Sequence, residues 1–554
     1  MKFSAILLLL ALSLSVPCRS QSLPQPAAVA IIPQPVELKL KNGLNFQLSN
    51  NTLILISDPE LTKSADFLAD YLLRYYHIHI GIARYTHNEN RKNAIRFLRT
   101  ASVAPHHDQY RLSVTSDVVE LTASSDKGIF YGMQTMLQLL TLPGNGQIRP
   151  EIPCAEVLDY PRFDYRGMHL DVSRHFFGTT FIKRYIDYLA FHKLNYFHWH
   201  LTDDHGWRIE IKKYPELTRI GAWRKGTIIG LYPGVGNDGK RYGGYYTQDE
   251  IKDIINYASD RYITVIPEIE MPGHSLSVLA AYPDLGTEPD KKYEVAQTWG
   301  IFNKFNNVLQ PTEKTFRFLE NVLTEVMDLF PSPYIHIGGD ECSRIWWKRS
   351  PVSQQIIREK GLKDENDLQN YMINRIGKFV NSKGKTIIGW DEILEGSLQA
   401  DAVVMSWRGE KGGIYGVKTK HRVIMTPENF LYFNHAQSVK EDSLTAAKYL
   451  PLSSVYNYDP VPNSLSPAEA GYIWGAQANL WTEYISNPSK AEYMLFPRLD
   501  ALSELLWSPG KKRNYDDFLR RLRVQMKRYD AWGVNYNSSL GPGQKNESKA
   551  LVGH

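Results

Sequence analysis

Tyr334-Ile335-His336-Ile337-Gly338-Gly339-Asp340-Glu341 is the stretch on which the reading of the fold turns. Apolar residues at alternate positions predict a buried strand, and the two glycines let the backbone turn sharply at its tip. Beyond the tip stand two adjacent carboxylates, at the carboxyl end of a strand, where parallel α/β folds keep their chemistry. Neighbouring strand residues point opposite ways, so Asp340 and Glu341 suit two separate jobs better than one shared job. Alone, the pair would read as a helix cap followed by a solvated loop charge. The rest of the chain repeats the pattern, and that repetition favours chemistry.

Working outward, strand, loop and helix alternate from about Tyr160. Strands are predicted at Tyr165–Val172, Tyr196–Leu201, Thr264–Ile269, Tyr334–Ile337, Thr386–Ile388, Ala402–Met405, Arg422–Met425 and Tyr472–Ala476. Helical periods between and after them run over Phe181–His192, Asp249–Arg261, Thr312–Phe330, Leu368–Ser382 and Ala491–Trp507, with Gly412–Lys420 as a short one. Eight strands alternating with helices predict a parallel sheet closed into a (β/α)₈ TIM barrel. Charged and aromatic residues follow every strand: Arg174 and His175; Asp203, Asp204, His205 and Trp207; Glu270 and His274; Asp340 and Glu341; Trp390, Asp391 and Glu392; Trp407 and Arg408; Tyr432 and Asn434; Trp481 and Glu483. All would meet on one face, which makes that face an active-site mouth.

Ahead of the barrel, a small α+β domain is expected, giving α/β architecture in two parts. Leu53 to Ile56 and the pair Tyr110–Val114 and Val118–Leu121 read as strands. Thr62–Tyr76 and the segment capped by Ser125 read as helices. The expected organisation is a leader over 1–20, the α+β domain over 21–155, the barrel with a terminal helix over 156–536 and a disordered tail over 537–554. Lys2, an apolar run from Ala5 to Val16 and a small-residue site before Gln21 have the form of a signal peptide, which implies export to the periplasm or beyond. No later apolar run is long enough to span a membrane. Removal of the leader leaves only Cys154 and Cys342, so the core rather than a disulfide framework holds the fold. A formal charge of +5 over 554 residues, without a basic stripe, argues against nucleic acid as a partner. Twelve Trp and 33 Tyr, several of the Trp in Gly-rich loops beside carboxylates, suit a ligand with flat apolar faces and many hydroxyls, such as a sugar.

Three chemistries compete for the mouth. His198-x-His200, with His274, Asp203 and Asp204, could hold a metal, although histidines on a barrel strand more often pack inside it. Asp203, Glu341, Asp391, Glu392 and Glu483 could supply two opposed carboxylates for glycoside hydrolysis. In a third scheme the substrate's own 2-acetamido oxygen attacks, which needs one acid and one orienting carboxylate. The unlike neighbours Asp340 and Glu341 suit the third best.

Asp171-Val-Ser-Arg174-His-Phe-Phe, His198-Trp-His-Leu-Thr-Asp203-Asp204-His-Gly-Trp207, Pro267-Glu-Ile-Glu-Met-Pro-Gly-His274, His336-Ile-Gly-Gly-Asp340-Glu341 and Trp481-Thr-Glu483 resemble the β-N-acetylhexosaminidases of glycoside hydrolase family 20, in order, over roughly Ile31 to Trp507. The resemblance implies exo-acting, retaining removal of terminal β-linked GlcNAc or GalNAc from an oligosaccharide or glycoconjugate, with no metal or other cofactor. By matched position, Glu341 would be the general acid/base and Asp340 the residue that orients and charge-stabilises the acetamido group. Arg174 and Glu483 would bind sugar hydroxyls, and Tyr432 would bond the acetamido oxygen. Trp390, Trp407 and Trp481 would wall the pocket, and Asp203 with His274 would support the acid. Glu270 and Asn434 each stand where some members carry Asp, at positions that bear on hydroxyl contacts and the GlcNAc/GalNAc preference.

Overall fold

Eight parallel strands close into a barrel in the computed structural model: β1 (Tyr165–Asp171), β2 (Tyr196–His200), β3 (Thr264–Met271), β4 (Tyr334–Gly338), β5 (Thr386–Trp390), β6 (Val403–Ser406), β7 (Val423–Met425) and β8 (Ile473–Ala478). Each pairs with its sequence neighbour, and β8 pairs with both β7 and β1. The structure describes residues 29–86, 91–101, 106, 108–142, 150–299, 306–439, 441 and 443–539. The expected leader lies outside them. No helix among the described residues is long and apolar enough to cross a membrane.

Every predicted strand is present within two residues of its expected ends. The helices follow from the sequence too. Thr247 and Glu250 form a reciprocal capping box at the start of Gln248–Ser259, whose Ile251, Ile254, Ile255 and Ala258 recur at helical spacing and are buried. Thr312 caps Glu313–Leu329 by accepting the Thr315 N–H with its hydroxyl. One expectation fails: Ala491–Trp507 is two helices, Pro488–Leu495 and Arg498–Trp507, because Pro497 has no N–H to continue the first. The barrel interior is layered. Tyr165, Ile266, Ile388, Val403, Met405 and Ile424 pack as one apolar cluster, while His169, His198, His200, Glu268 and His336, from β1 to β4, are fully buried polar side chains.

The first unit is a seven-stranded mixed sheet in the order Glu37–Leu40, Ala155–Asp159, Tyr110–Val114, Val118–Ala123, Ala94–Arg99, Leu53–Ile56, Gly81–Arg84. Helices Thr62–Tyr76 and Asp126–Leu139 pack on it. Because Ala155–Asp159 is a strand of this sheet, the unit runs four residues past the expected limit at 155. Lys193, between barrel elements, reaches into the junction. Its ammonium donates to Tyr110 (2.9 Å), Thr135 (2.7 Å) and Asp159 (3.0 Å), and the Trp507 indole also donates to Asp159. The expected tail begins packed: Asn537 is buried and its N–H bonds the Phe496 carbonyl.

Candidate active site

Gly338 and Gly339, at φ +64° and +95°, end β4 in the turn that only glycine adopts without strain. At Gly338 a Cβ would lie 1.9 Å from a Glu270 oxygen, so the missing side chain also makes room for that carboxylate. Glu341 follows with φ +45°, a left-handed conformation uncommon for a side-chain-bearing residue and characteristic of positions held by function. The turn puts Asp340 and Glu341 over the mouth with side chains 13% and 28% exposed. Asp340 does not cap a helix, since the next one starts at Ile345 behind Arg344.

A cavity of about 340 Å³ opens there, at the small end of the range for ligand sites. Its lining includes Arg174, His274, Asp340, Glu341, Trp390, Trp407, Tyr432, Asn434, Trp481 and Glu483, so the ends of seven of the eight strands contribute. The walls are aromatic. Trp407 and Tyr432 stack with ring centres 6.3 Å apart and 18° between planes, and Trp481 lies 5.9 Å from Trp390 and 6.3 Å from Tyr432. Asp340 Oδ1 and Asn434 Oδ1 are buried and accept no hydrogen bond from the described residues, which leaves both as acceptors for a ligand. A larger groove of about 650 Å³, between Thr62–Tyr76 and the helices Thr179–Phe191 and Gln248–Ser259, contains none of these residues. Two ion pairs, Lys63–Asp260 and Arg261–Asp187, lie within it.

Asp203, expected to support the acid together with His274, does not line the cavity. It is 1% exposed, and its oxygens are committed to Arg174 Nη2 at 2.8 Å, His200 Nε2 at 3.0 Å and the Asp204 N–H at 2.6 Å. Burial would raise its carboxyl, but Arg174 and His274 outweigh that and hold it well below the usual carboxylate range. His274 bridges inward and outward: Nδ1 is 3.4 Å from Asp203, and Nε2 is 3.5 Å from Asp340 and 3.6 Å from Glu341. Burial opposes its protonation, yet Asp203 and Asp340 raise it well above the ordinary imidazole value. Glu270 also stands behind the wall, over Gly338 and fully buried. Burial and the neighbouring Asp340 and Glu268 charges raise its carboxyl well above the ordinary value, and it does not line the cavity.

Of the five carboxylates considered as an opposed pair, only Glu341 and Glu483 line the cavity. Asp391 is spent on Arg408, and Glu392 accepts the Trp407 indole N–H at 3.0 Å. The metal alternative finds ligand-capable atoms within 4.8 Å of one another in three buried groups: His169, His198 and Glu268; His200, Glu268 and Glu270; Asp203, Asp204 and His274. Each group contains hydrogen-bonded or ion-paired members, the commoner use of histidine inside a barrel. Sequence reasoning missed Glu428, His435 and Lys448, which share an ion-paired cluster on the cavity's side. They lie in no motif and come together only because the chain after β7 folds back as the strand pair His435–Ala436 and Ala446–Tyr449.

Comparison with known proteins agrees with this geometry. The model of the glycosyl hydrolase family 20 catalytic domain matches residues 163–510, and that of the family's domain 2 matches residues 28–160. A β-hexosaminidase of Porphyromonas gingivalis is 42% identical over 518 residues, covering 92% of this chain and 65% of that protein. One of Vibrio furnissii is 41% identical over 403 residues, covering 71% of this chain and 64% of that protein. The chain thus spans just under two thirds of the length of these two relatives. Among solved structures, the Vibrio harveyi GH20 exo-β-N-acetylglucosaminidase in complex with N-acetylglucosamine superimposes with a TM-score of 0.81 at 33% identity, covering 94% of this chain and 81% of that one. A mutant Streptomyces plicatus β-hexosaminidase in complex with its product GlcNAc gives 0.80 at 28% identity, covering 94% and 99%. From both domains, in order and in structure, the chain belongs to glycosyl hydrolase family 20.

Proposed function

We propose that this protein is an exo-acting, retaining β-N-acetylhexosaminidase that removes terminal non-reducing β-linked GlcNAc or GalNAc by substrate-assisted catalysis. The observation that carries the reading is the unpartnered Asp340 acceptor beside Glu341 in an aromatic cavity of about 340 Å³, a size for one sugar residue rather than a chain. In this scheme the acetamido oxygen attacks the anomeric carbon while Glu341 gives its proton to the departing glycosidic oxygen. The attacking group is tethered to the ring it attacks, so much of the entropic barrier is already removed. A cyclic oxazolinium forms, its positive charge facing the Asp340 carboxylate in a water-poor site. Glu341, now ionised, takes a proton from water as that water opens the ring at the same carbon, and two inversions give retention. Arg174 and Glu483 hold hydroxyls, Tyr432 bonds the acetamido oxygen, Asn434 takes a further polar contact, and the three tryptophans exclude water. Asp203 and His274 act from behind, on Arg174 and on the two carboxylates.

Glu483, which also lines the cavity, supports a second reading in which a protein group attacks directly. Nitrophenyl β-glycosides of GlcNAc, GalNAc and glucose separate the two. The first two substrates should turn over and the glucoside should not; a glucoside cleaved at a comparable rate would refute the acetamido nucleophile. We further propose export through the leader over residues 1–20, on the strength of its basic start, short apolar run and small-residue site. Amino-terminal sequencing of protein recovered outside the cytoplasm tests it, with Gln21 as the expected first residue.

A further inference from the structure

One layer beneath the pocket floor, a single carboxylate collects donors from neighbouring barrel strands. Glu268 of β3 accepts from His200 Nδ1 at 2.5 Å and from the Trp390 indole N–H at 2.8 Å. His198 Nε2 is 3.1 Å away and His336 Nδ1 is 2.9 Å away. His200 carries the layer's contact up to Asp203. Its second nitrogen, Nε2, bonds Asp203 Oδ2 at 3.0 Å, the same oxygen that Arg174 holds at 2.8 Å. Asp203 Oδ1 is thereby turned to His274 at 3.4 Å. The His200 ring also meets the Trp481 wall edge-on, with centres 4.9 Å apart and 78° between planes.

A carboxylate at each ring nitrogen asks both to donate, which only the imidazolium does. The groups facing His200 are Glu268, Asp203 and Asp171, with the rings of His198 and His169 alongside. Burial disfavours the cation, but Glu268 and the bonds to Asp203 and Glu268 outweigh it and raise the imidazole to about 10. Asp203 therefore sits among three cationic partners, Arg174, His200 and His274, of which Arg174 and His200 share Oδ2. The Asp204 N–H at 2.6 Å and His205 Nδ1 at 3.3 Å also hold Oδ1, and His200 is the partner that ties Oδ2 to Glu268.

We propose that His200 is a positioning residue for the reaction: clamped between Glu268 and Asp203, it sets the one carboxylate that aims both Arg174 at the sugar and His274 at Asp340 and Glu341. The inference rests on the hydrolase reading for its kinetic consequences but not for its geometry. Loss of a cationic ring that merely packs would only take a like charge away from His274 and leave its midpoint level or raised. Loss of one that positions Asp203 would lower it, because Asp203 is a main support of the protonated His274, which otherwise faces Asp204, Asp340, Glu341, Glu270 and Cys342.

The test is a titration of ¹³C-labelled histidines in the full-length protein and in His200→Phe, with His274 identified by its loss in His274→Phe. The His274 midpoint should fall in His200→Phe, and an unchanged or raised midpoint overturns the proposal. His200→Asn covers the case in which the phenyl variant does not fold, since its amide still serves Glu268 but is too short to bridge to Asp203. In kinetics, misplacement of the groups above should cost about 10²-fold in kcat/KM on a disaccharide. In a His274→Phe background the same substitution should cost severalfold less, whereas fully additive losses would overturn the proposal. A wild-type protein inactive on nitrophenyl β-GlcNAc would sink the hydrolase reading alone, and the titration would still decide the role of His200.

Discussion

Replacing each of the two adjacent carboxylates separately should distinguish their roles by leaving group. On the proposed mechanism Glu341→Ala removes a proton donor, and general acid catalysis is typically worth about 10²–10⁴-fold. That loss should appear in full on a disaccharide, whose alkoxide leaves poorly, and largely vanish on a nitrophenyl glycoside, whose phenoxide needs little help. Asp340→Ala removes a charge that faces the developing oxazolinium across one layer of contact. At about 4 Å and an effective dielectric of about 20, a unit pair is worth about 4 kcal/mol, or about 10³-fold in rate. The half-closed aromatic site, with Asp340 only 13% exposed, justifies a value well above that for water. Because attack precedes any question of who protonates the leaving oxygen, this loss should be similar on both substrates. The assay is kcat/KM for wild type and both variants on a nitrophenyl β-GlcNAc glycoside and a GlcNAc disaccharide. A leaving-group dependence in Asp340→Ala and none in Glu341→Ala would reverse the roles; full activity in both would remove the site from the β4 tip.

Activity should survive exhaustive chelation, and full inactivation with recovery on adding a divalent ion would revive the His198/His200 metal reading. Lys193→Met breaks a buried ion pair and should lower stability to urea by about 3–5 kcal/mol; a change under 1 kcal/mol would show the junction to be weak. Burial pushes the Cys342 thiol up to about 12, so iodoacetamide at pH 8 should leave activity intact, and rapid inactivation would contradict this despite its place beside Glu341. His200, raised in the fold to about 10 from 6.5, contributes stability that is whole below about pH 6.5 and lost as pH rises through 10. The stability gap between wild type and His200→Phe, measured by denaturant titration, should therefore shrink from pH 6 to pH 10; a constant gap would mean the ring is neutral.

The barrel was legible because short strand-like runs recur between helical periods and each is followed by charged and aromatic residues. The first unit was less so. Glu37–Leu40 is exposed along its length and Gly81–Arg84 is an edge strand, so neither carries the alternation that marks a half-buried strand. Adjacent motifs revealed which residues meet at the mouth but not their depth. Asp203 and Glu270 sit in motifs as conspicuous as that of Asp340, yet both lie behind the wall, because depth is set by the register between neighbouring strands. Glu428, His435 and Lys448 carried no local signal at all, since their meeting depends on a strand pair across a loop.

Closure of the barrel by β8 has a consequence for how the protein is made. β8 supplies hydrogen-bond partners to both β7 and β1, and it is translated about 300 residues after β1 begins. At about 5–20 residues per second, the nascent sheet carries two unpaired edges for roughly 15–60 s. Open edges are templates for pairing with other chains. A premature stop before Ile473 would make that state permanent, so truncated chains should accumulate as aggregates rather than as soluble, inactive barrels.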